Sequence, residues 1–210
     1  MGLVRLLGIA GAAGAIFFLG TFVSLHWLDP SLDIVRNYVS EFANGAYGPL
    51  FQIALMIHGL GNLAIAGAFF VIAKSRAGRV AAALFGLAAV GILVASIFAT
   101  DPPGGVRTTA GTIHSFAAFA AFPIETISLL AFAHVFRRLP SWNSFAEWTI
   151  LVTFLSIASL LWLLIAIVVG LPPGLAERAS LVILMVWEIF AGLRLAHSSP
   201  EEAETNARRP

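Results

Sequence analysis

The chain has 210 residues, of which 59% are hydrophobic and only 11% are charged, with a formal net charge of +1. A soluble domain carries about twice that charged fraction, so a single water-soluble core is excluded. The small net charge leaves no basic footprint for a nucleic acid. The sequence contains no cysteine, which excludes disulfides, thiolate catalysis and iron–sulfur ligation.

Six apolar stretches are each long enough to cross a bilayer as a helix, which takes about 20 mostly apolar residues. They cover residues 6–27, 50–73, 80–99, 110–136, 148–169 and 175–195. Proline, glycine or charged residues separate them and end each helix. The first stretch is longer than a signal-peptide core and precedes no Ala-x-Ala site, which favours a retained span. We predict an all-α integral membrane bundle of six transmembrane helices over residues 1–197, followed by a disordered cytoplasmic tail at 198–210.

The distribution of lysine and arginine predicts the orientation. Nine of the 12 lie at the two chain ends and in the loops after the second and fourth stretches. The three on the other side are Arg36, Arg107 and Arg178. Because basic residues favour the cytoplasmic side, we expect a multi-pass protein of the cell membrane with both termini in the cytoplasm.

The loop after the first stretch is too long for a simple hairpin. Its apolar residues recur at helical spacing; they are Leu32, Val35, Val39 and Phe42. Ser31 is a suitable N-cap, and Gly45 is a suitable C-terminal stop. We predict a short amphipathic helix on the outer membrane face, with its polar side turned either to water or over a cavity between the spans.

Ionisable residues inside the spans are costly, so they face other helices or a wet cavity. His58 and Asn62 are one turn apart on the second span, while Glu125 and Glu188 lie on the fourth and sixth. At 1.5 Å rise per residue these groups lie at increasing depths in the membrane, from near its outer surface to past its midplane. We predict that they line a cavity together with Arg107 and Arg178. The alternative for each residue is a hydrogen-bonded packing role.

Other polar residues fall on stripes of the same helices. Glu177 and Glu188 are eleven residues apart, which is nearly three turns, and therefore share one face of the last span. Thr149, Thr153 and Ser156 form a stripe on the fifth. We expect these stripes to converge on the interior, although a sequence does not determine which stripes meet.

A second polar group gathers at the outer mouth. Asp101 closes the third span, and His114 follows early in the fourth after a tight Pro-Pro-Gly-Gly turn. With Ser40 or Glu41 from the first loop they make a Ser/His/Asp or His/carboxylate set, which could deprotonate a hydroxyl or water, or bind a metal. We predict these four as catalytic candidates. The alternative is that Asp101 only ends its helix.

Three short motifs of this sequence resemble a known family. They are Asn37-Tyr38-Val39-Ser40-Glu41, Phe98-Ala99-Thr100-Asp101 and Gly111-Thr112-Ile113-His114. The chain is similar, over most of its length, to the multi-pass membrane family called domain of unknown function 998 (DUF998). Members commonly have Leu-Gly after the Ser-acid pair, where this chain has Phe42-Ala43. The resemblance implies a six-helix membrane fold and supplies no activity.

Three classes of function fit these patterns. The first is a membrane-embedded enzyme that acts on a lipid or hydrophobic small molecule at the outer leaflet. The second is a small proton-coupled transporter, in which His58, Glu125 and Glu188 form a titratable path. The third is a non-catalytic sensor or assembly subunit. Membrane lipids are the expected surroundings, and the sequence identifies no cofactor, metal or oligomeric state.

Overall fold

The computed structural model describes residues 2–197, and among these it contains six long helices and no strand. The helices are α1 (Gly2–Leu28), α2 (Gly48–Ile72), α3 (Arg76–Ile97), α4 (Thr109–Phe136), α5 (Asn143–Val169) and α6 (Gly174–Ala196). Each is long and apolar enough to cross a membrane. The all-α class and the six predicted spans are therefore confirmed. The predicted disordered tail at 198–210 lies outside the described residues.

Capping residues explain where several helices begin and end. Ser75 and Thr108 each precede a helix, and their hydroxyl oxygens accept from the backbone N–H of Gly78 and Gly111 at 3.0 Å. These caps satisfy donors that a helix N-terminus otherwise leaves free. Gly170 ends α5 with a φ of 77°, a left-handed conformation that glycine adopts without a steric cost.

The helices pack in chain order around a ring, with α6 returning to α1. Glycines on α1 allow the backbones of α6 and α2 to approach closely. A Cβ added to Gly8 would lie 2.6 Å from the carbonyl oxygen of Gly192 on α6, and one added to Gly14 would lie 2.9 Å from that of Ile57 on α2. Close backbone contact of this kind holds helices together where lipid removes the hydrophobic drive.

The two ends of the bundle have separate apolar cores. The loops after α1, α3 and α5 lie at one end, which we call the long-loop end; the other is the short-loop end. At the long-loop end the core includes Phe18, Phe22, Leu25, Val39, Phe42 and Phe51. At the short-loop end it includes Phe69, Phe85, Phe132, Phe136, Trp142 and Trp187. A buried polar layer lies between them.

The first loop differs from the predicted amphipathic helix. It forms turns and then a six-residue 3-10 helix, Val39–Asn44, whose C-cap is Gly45 as expected. The Asp33 carboxylate accepts from the N–H groups of Val35 and Arg36 at 2.8 and 2.9 Å. These bonds cap a single turn, in which the Asn37 N–H donates to the Asp33 carbonyl at 2.9 Å. The extended backbone of Tyr38 then ends this turn before Val39. Ser31 correspondingly donates to the Asp29 carboxylate at 2.5 Å instead of capping a helix.

The 3-10 helix turns its apolar residues inward. Val39 and Phe42 are each only 1% exposed and pack into the core at the long-loop end. The segment therefore closes the mouth of the bundle instead of lying flat on a membrane surface, which places its polar residues Ser40 and Glu41 at the entrance to the interior.

Candidate functional site

A hydrogen-bonded group of three polar side chains lies in the middle of the bundle. His58 Nε2–H donates to Glu188 Oε2 at 2.6 Å, and Asn62 Nδ2 donates to Glu188 Oε1 at 2.6 Å. All three side chains are at most 2% exposed. His58 and Asn62 reach the same carboxylate because residues four apart share one face of a helix. The group therefore ties α2 to α6 through charge-assisted hydrogen bonds.

Glu125 on α4 joins this group from the opposite side of the interior. Its side chain is 3% exposed, and its carboxyl neighbours that of Glu188. Oε1 of Glu125 has no hydrogen-bond partner among the described residues. Two facing carboxyls in a dry interior repel each other when both are ionised. We call Glu125, Glu188, His58 and Asn62 the buried cluster.

An internal cavity leads to the buried cluster, and we call it the inner cavity. The space open to the centre of a water molecule is about 60 Å³, several times the ~10–15 Å³ that one water needs. Its walls are mostly apolar and include Phe18, Phe51, Leu55, Ile92, Leu181 and Met185. Its polar lining residues are Ser40, His58, His114, Glu125, Glu177 and Glu188.

His114 lies where the inner cavity approaches the long-loop end. Its Nδ1–H points at the carbonyl oxygens of Ala95 and Phe98 at the end of α3, at 2.9 and 2.8 Å. These acceptors select the tautomer that carries its proton on Nδ1. Nε2 is then a lone pair, buried and without a partner among the described residues. The ring is 3% exposed.

A larger cavity of about 670 Å³ lies at the long-loop end, and we call it the outer cavity. Its charged and polar lining includes Tyr38, Ser40, Glu41, Asp101, Arg107, Thr112, His114 and Glu177. Ser40, His114, Ala118, Phe122 and Glu177 line both cavities. These five residues therefore form the neck between an open, polar vestibule and a narrow, apolar interior.

Asp101 is held by Thr108, the N-cap of α4. Its Oδ1 accepts from the Thr108 hydroxyl at 2.6 Å, and its Oδ2 accepts from the Thr108 N–H at 3.0 Å. These two bonds lower the pKa of Asp101 from its ordinary value. No hydrogen bond joins Asp101 to His114 within the described part of the chain. Both residues line the outer cavity. Asp101, however, forms its hydrogen bonds with Thr108, and His114 forms its own with backbone carbonyls of α3.

The remaining predicted site residues lie in different surroundings. Glu41 accepts from Asn37 Nδ2 at 2.5 Å and helps to cap the 3-10 helix. Arg178 lines neither cavity: its guanidinium donates to His26 Nε2 at 3.1 Å and to the Asn37 carbonyl at 2.6 Å. Arg178 therefore fastens the first loop and α1 to α6. The catalytic and cavity assignments stay predictions.

The polar stripe on α5 does not reach either cavity. Thr149 Oγ1 accepts from Trp187 Nε1 at 3.0 Å, and Ser156 shares a hydrogen bond with Thr126 at 2.7 Å. Thr153 donates to the Thr149 carbonyl of its own helix. This stripe is buried in the interior of the bundle and packs α5 against α4 and α6, but its residues line neither cavity.

Glu177 lies at the neck but was not among the site residues predicted from the sequence. Its Oε2 accepts from the Val39 N–H at 2.5 Å, which ties the 3-10 helix to α6. The eleven-residue spacing from Glu188 already indicated that both acids share one face. That spacing was the available signal, but only the position of the 3-10 helix brings Glu177 to the neck.

A family model described as "Protein of unknown function (DUF998)" matches residues 12–194, which is most of the chain. The chain belongs to the DUF998 family. The resemblance carried by the three short motifs is therefore confirmed. No curated protein and no solved structure matches this DUF998 chain. The family and the six apolar helices together establish a multi-pass membrane protein that contacts lipid.

Proposed function

We propose that this protein is a membrane-embedded enzyme that acts on a lipid or other hydrophobic small molecule by acid–base chemistry. One observation carries the proposal: a mostly apolar cavity runs from His114 at its neck to His58, Glu125 and Glu188 at its floor. Apolar walls with a few convergent polar groups are typical of sites for small hydrophobic molecules.

Both imidazoles are arranged as proton-transfer groups are in enzymes. The Ala95 and Phe98 carbonyls hold the Nδ1 proton of His114, which leaves Nε2 free to accept a proton from a hydroxyl or water. Glu188 holds the Nε2 proton of His58 and would stabilise the imidazolium when Nδ1 is protonated. Ser40, at the same neck, supplies a hydroxyl that can orient or attack a substrate.

The pocket supports an enzyme better than a proton-coupled carrier. A carrier needs polar groups on both sides of its central site. Beyond Glu125, towards the short-loop end, the interior is filled by rings that are at most 2% exposed, including Phe69, Phe85, Phe132 and Trp187. Phe132 and Trp187 stack with ring centres 5.8 Å apart. This aromatic layer makes the pocket one-ended.

Two further points of the proposal concern the membrane. The excess of basic residues at the short-loop end favours the cell membrane with both termini in the cytoplasm. The outer cavity would then open towards the outer leaflet, from which the substrate would enter the neck. Exposed Phe116 and Phe119, which line the outer cavity, provide an apolar surface for such a molecule.

The direct test is product formation from lipids. The purified protein is incubated with a lipid extract of its expression host, and the extract is compared by liquid chromatography and mass spectrometry before and after. We expect a product with wild-type protein that is lost with His114→Ala and His58→Ala. His134→Ala is the matched control, because His134 is exposed on the same helix as His114. An extract unchanged by folded wild-type protein would overturn the enzymatic proposal.

A further inference from the structure

The ionisable groups around the inner cavity are biased towards acids. Its lining includes the carboxyls of Glu125, Glu177 and Glu188 and the imidazoles of His58 and His114. No lysine or arginine is among the described residues that line it. Arg178 is next to Glu177 in sequence, but its guanidinium donates to the first loop and α1. The lining therefore supplies carboxyls that can pair with a cation and contains no lysine or arginine that could pair with an anion.

The buried cluster also contains three unused hydrogen-bond acceptors. Oε1 of Glu125, Nδ1 of His58 and Oδ1 of Asn62 have no partner among the described residues. Nδ1 of His58 is an acceptor because Nε2 carries the proton shared with Glu188. Oδ1 of Asn62 is an acceptor because Nδ2 donates to the same carboxylate. Buried acceptors without donors are costly. Glu125 and His58 also line the inner cavity, whereas Asn62 does not, so the two free acceptors of Glu125 and His58 indicate an absent donor in the cavity.

A protonated amine fits this combination better than water or an alcohol. A primary ammonium supplies three N–H donors and a positive charge. Aromatic faces also attract cations: Phe18 stacks on His58 with ring centres 4.9 Å apart, and Phe51 and Phe122 line the same cavity. An alcohol offers one donor and no charge, and a carboxylate offers no donor and carries a negative charge.

We propose that the inner cavity binds a hydrophobic primary amine, with its ammonium group at Glu125 and Glu188 and its apolar part against the cavity walls. This inference rests on the pocket of the proposed function and names the chemical class of its substrate. The apolar part extends through the neck at Ala118 towards the outer cavity, since both cavities share that residue.

Three ten-carbon probes with one tail and different heads test the proposal. Decylamine, decanol and decanoic acid are titrated separately into protein in a nonionic detergent, and bound molecules are counted by native mass spectrometry. We expect decylamine to bind at least about tenfold more tightly than decanol, which corresponds to about 1.4 kcal/mol. Butylamine carries the same head without the long tail, and we expect it to bind at least about tenfold more weakly than decylamine.

Glu125→Gln removes the ionisable carboxyl while it keeps the shape of the side chain. Decylamine affinity should fall about tenfold or more in this variant, while decanol affinity should stay unchanged. The wild-type to variant ratio for one probe cancels its partitioning into detergent. Glu147→Gln is the matched control, since Glu147 is an exposed acid near the short-loop end. If Glu125→Gln does not fold, the ratio of decylamine affinity to decanol affinity in the wild type still tests the amine inference.

The outcomes separate this inference from the proposed function. Ala118→Trp should fill the neck and block every ten-carbon probe, whereas Ala120→Trp, on another face of α4, should not. If decylamine and decanol bind equally tightly and Ala118→Trp blocks both, the amine inference is overturned, but the pocket of the proposed function still stands. Butylamine binding as tightly as decylamine would overturn the hydrophobic part. Ten-carbon probes that bind equally to wild type and Ala118→Trp would overturn the pocket, and with it both proposals.

Discussion

Replacing His58 and Glu188 by leucine, singly and together, tests whether the buried cluster has the geometry described. The two side chains share a 2.6 Å hydrogen bond and are at most 2% exposed. Leaving a buried charge without its hydrogen-bond partner costs about 3–5 kcal/mol, whereas replacing both groups by apolar residues is often close to neutral. His58→Leu leaves the Glu188 carboxylate with Asn62 alone, so about 3 kcal/mol or more should be lost.

Glu188→Leu leaves two donors, His58 Nε2–H and Asn62 Nδ2, without acceptors. Each unsatisfied buried group costs about 1–3 kcal/mol, so the single variant should lose about 2–6 kcal/mol. The double variant leaves only the Asn62 amide unsatisfied and should lose about 1–3 kcal/mol. The coupling energy between the two sites should therefore be about 3 kcal/mol or more.

The assay is reversible unfolding in mixed micelles of nonionic detergent and dodecyl sulfate, followed by tryptophan fluorescence. Thr126→Val and Ser156→Ala supply a control cycle for a buried neutral hydrogen bond, whose coupling in a membrane is about 0.6 kcal/mol. Additive losses at His58 and Glu188, with a coupling no larger than that of the control, would refute the hydrogen bond between them.

Two further predictions concern the loops and the helix packing. Bonds from Thr108 hold the pKa of Asp101 below its ordinary 3.8, so this carboxylate stabilises the fold above pH 3.8 and loses that effect as the pH falls through the lowered value. The unfolding temperature of the wild type should exceed that of Asp101→Asn at pH 6, and this difference should vanish once the pH is below the lowered pKa of Asp101. A difference in unfolding temperature that does not change with pH would contradict this role of the Asp101 carboxylate. Gly14→Leu should destabilise the fold by about 1–3 kcal/mol, because its Cβ would lie 2.9 Å from the Ile57 carbonyl oxygen. Gly20→Leu, which meets nothing within 4 Å, is the control, and equal loss in both would refute the packing.

Composition and periodicity were sufficient for the helices because a bilayer imposes one simple requirement on every span. About 20 apolar residues must follow one another, and each break must carry residues that stop a helix. The first loop was harder to predict, since the Asp33 side chain caps only one turn and the extended backbone of Tyr38 ends it before Val39. A local side-chain bond of this kind has no signature in the apolar pattern.

The candidate site was only partly predictable for a different reason. Spacing correctly put His58 and Asn62 on one face, but it does not give the rotation of one helix relative to another. The structure turns Glu125 and Glu188 towards that face. It also turns the α5 stripe at Thr149 towards Trp187 and away from the cavity. The relative rotation of the helices depends on packing contacts made far apart in the sequence.

The one-ended pocket is tested most directly by cysteine accessibility in this cysteine-free chain. Ser40→Cys lies at the neck, Ser128→Cys lies one turn past Glu125 at a fully buried position, and Ser144→Cys is an exposed control at the short-loop end. A charged, water-soluble thiol reagent is added to one side of sealed vesicles at a time. We expect modification of Ser40→Cys from the long-loop side, of Ser144→Cys from the short-loop side, and of Ser128→Cys from neither. Modification of Ser128→Cys from the short-loop side would reveal a continuous path and contradict a pocket closed at that end.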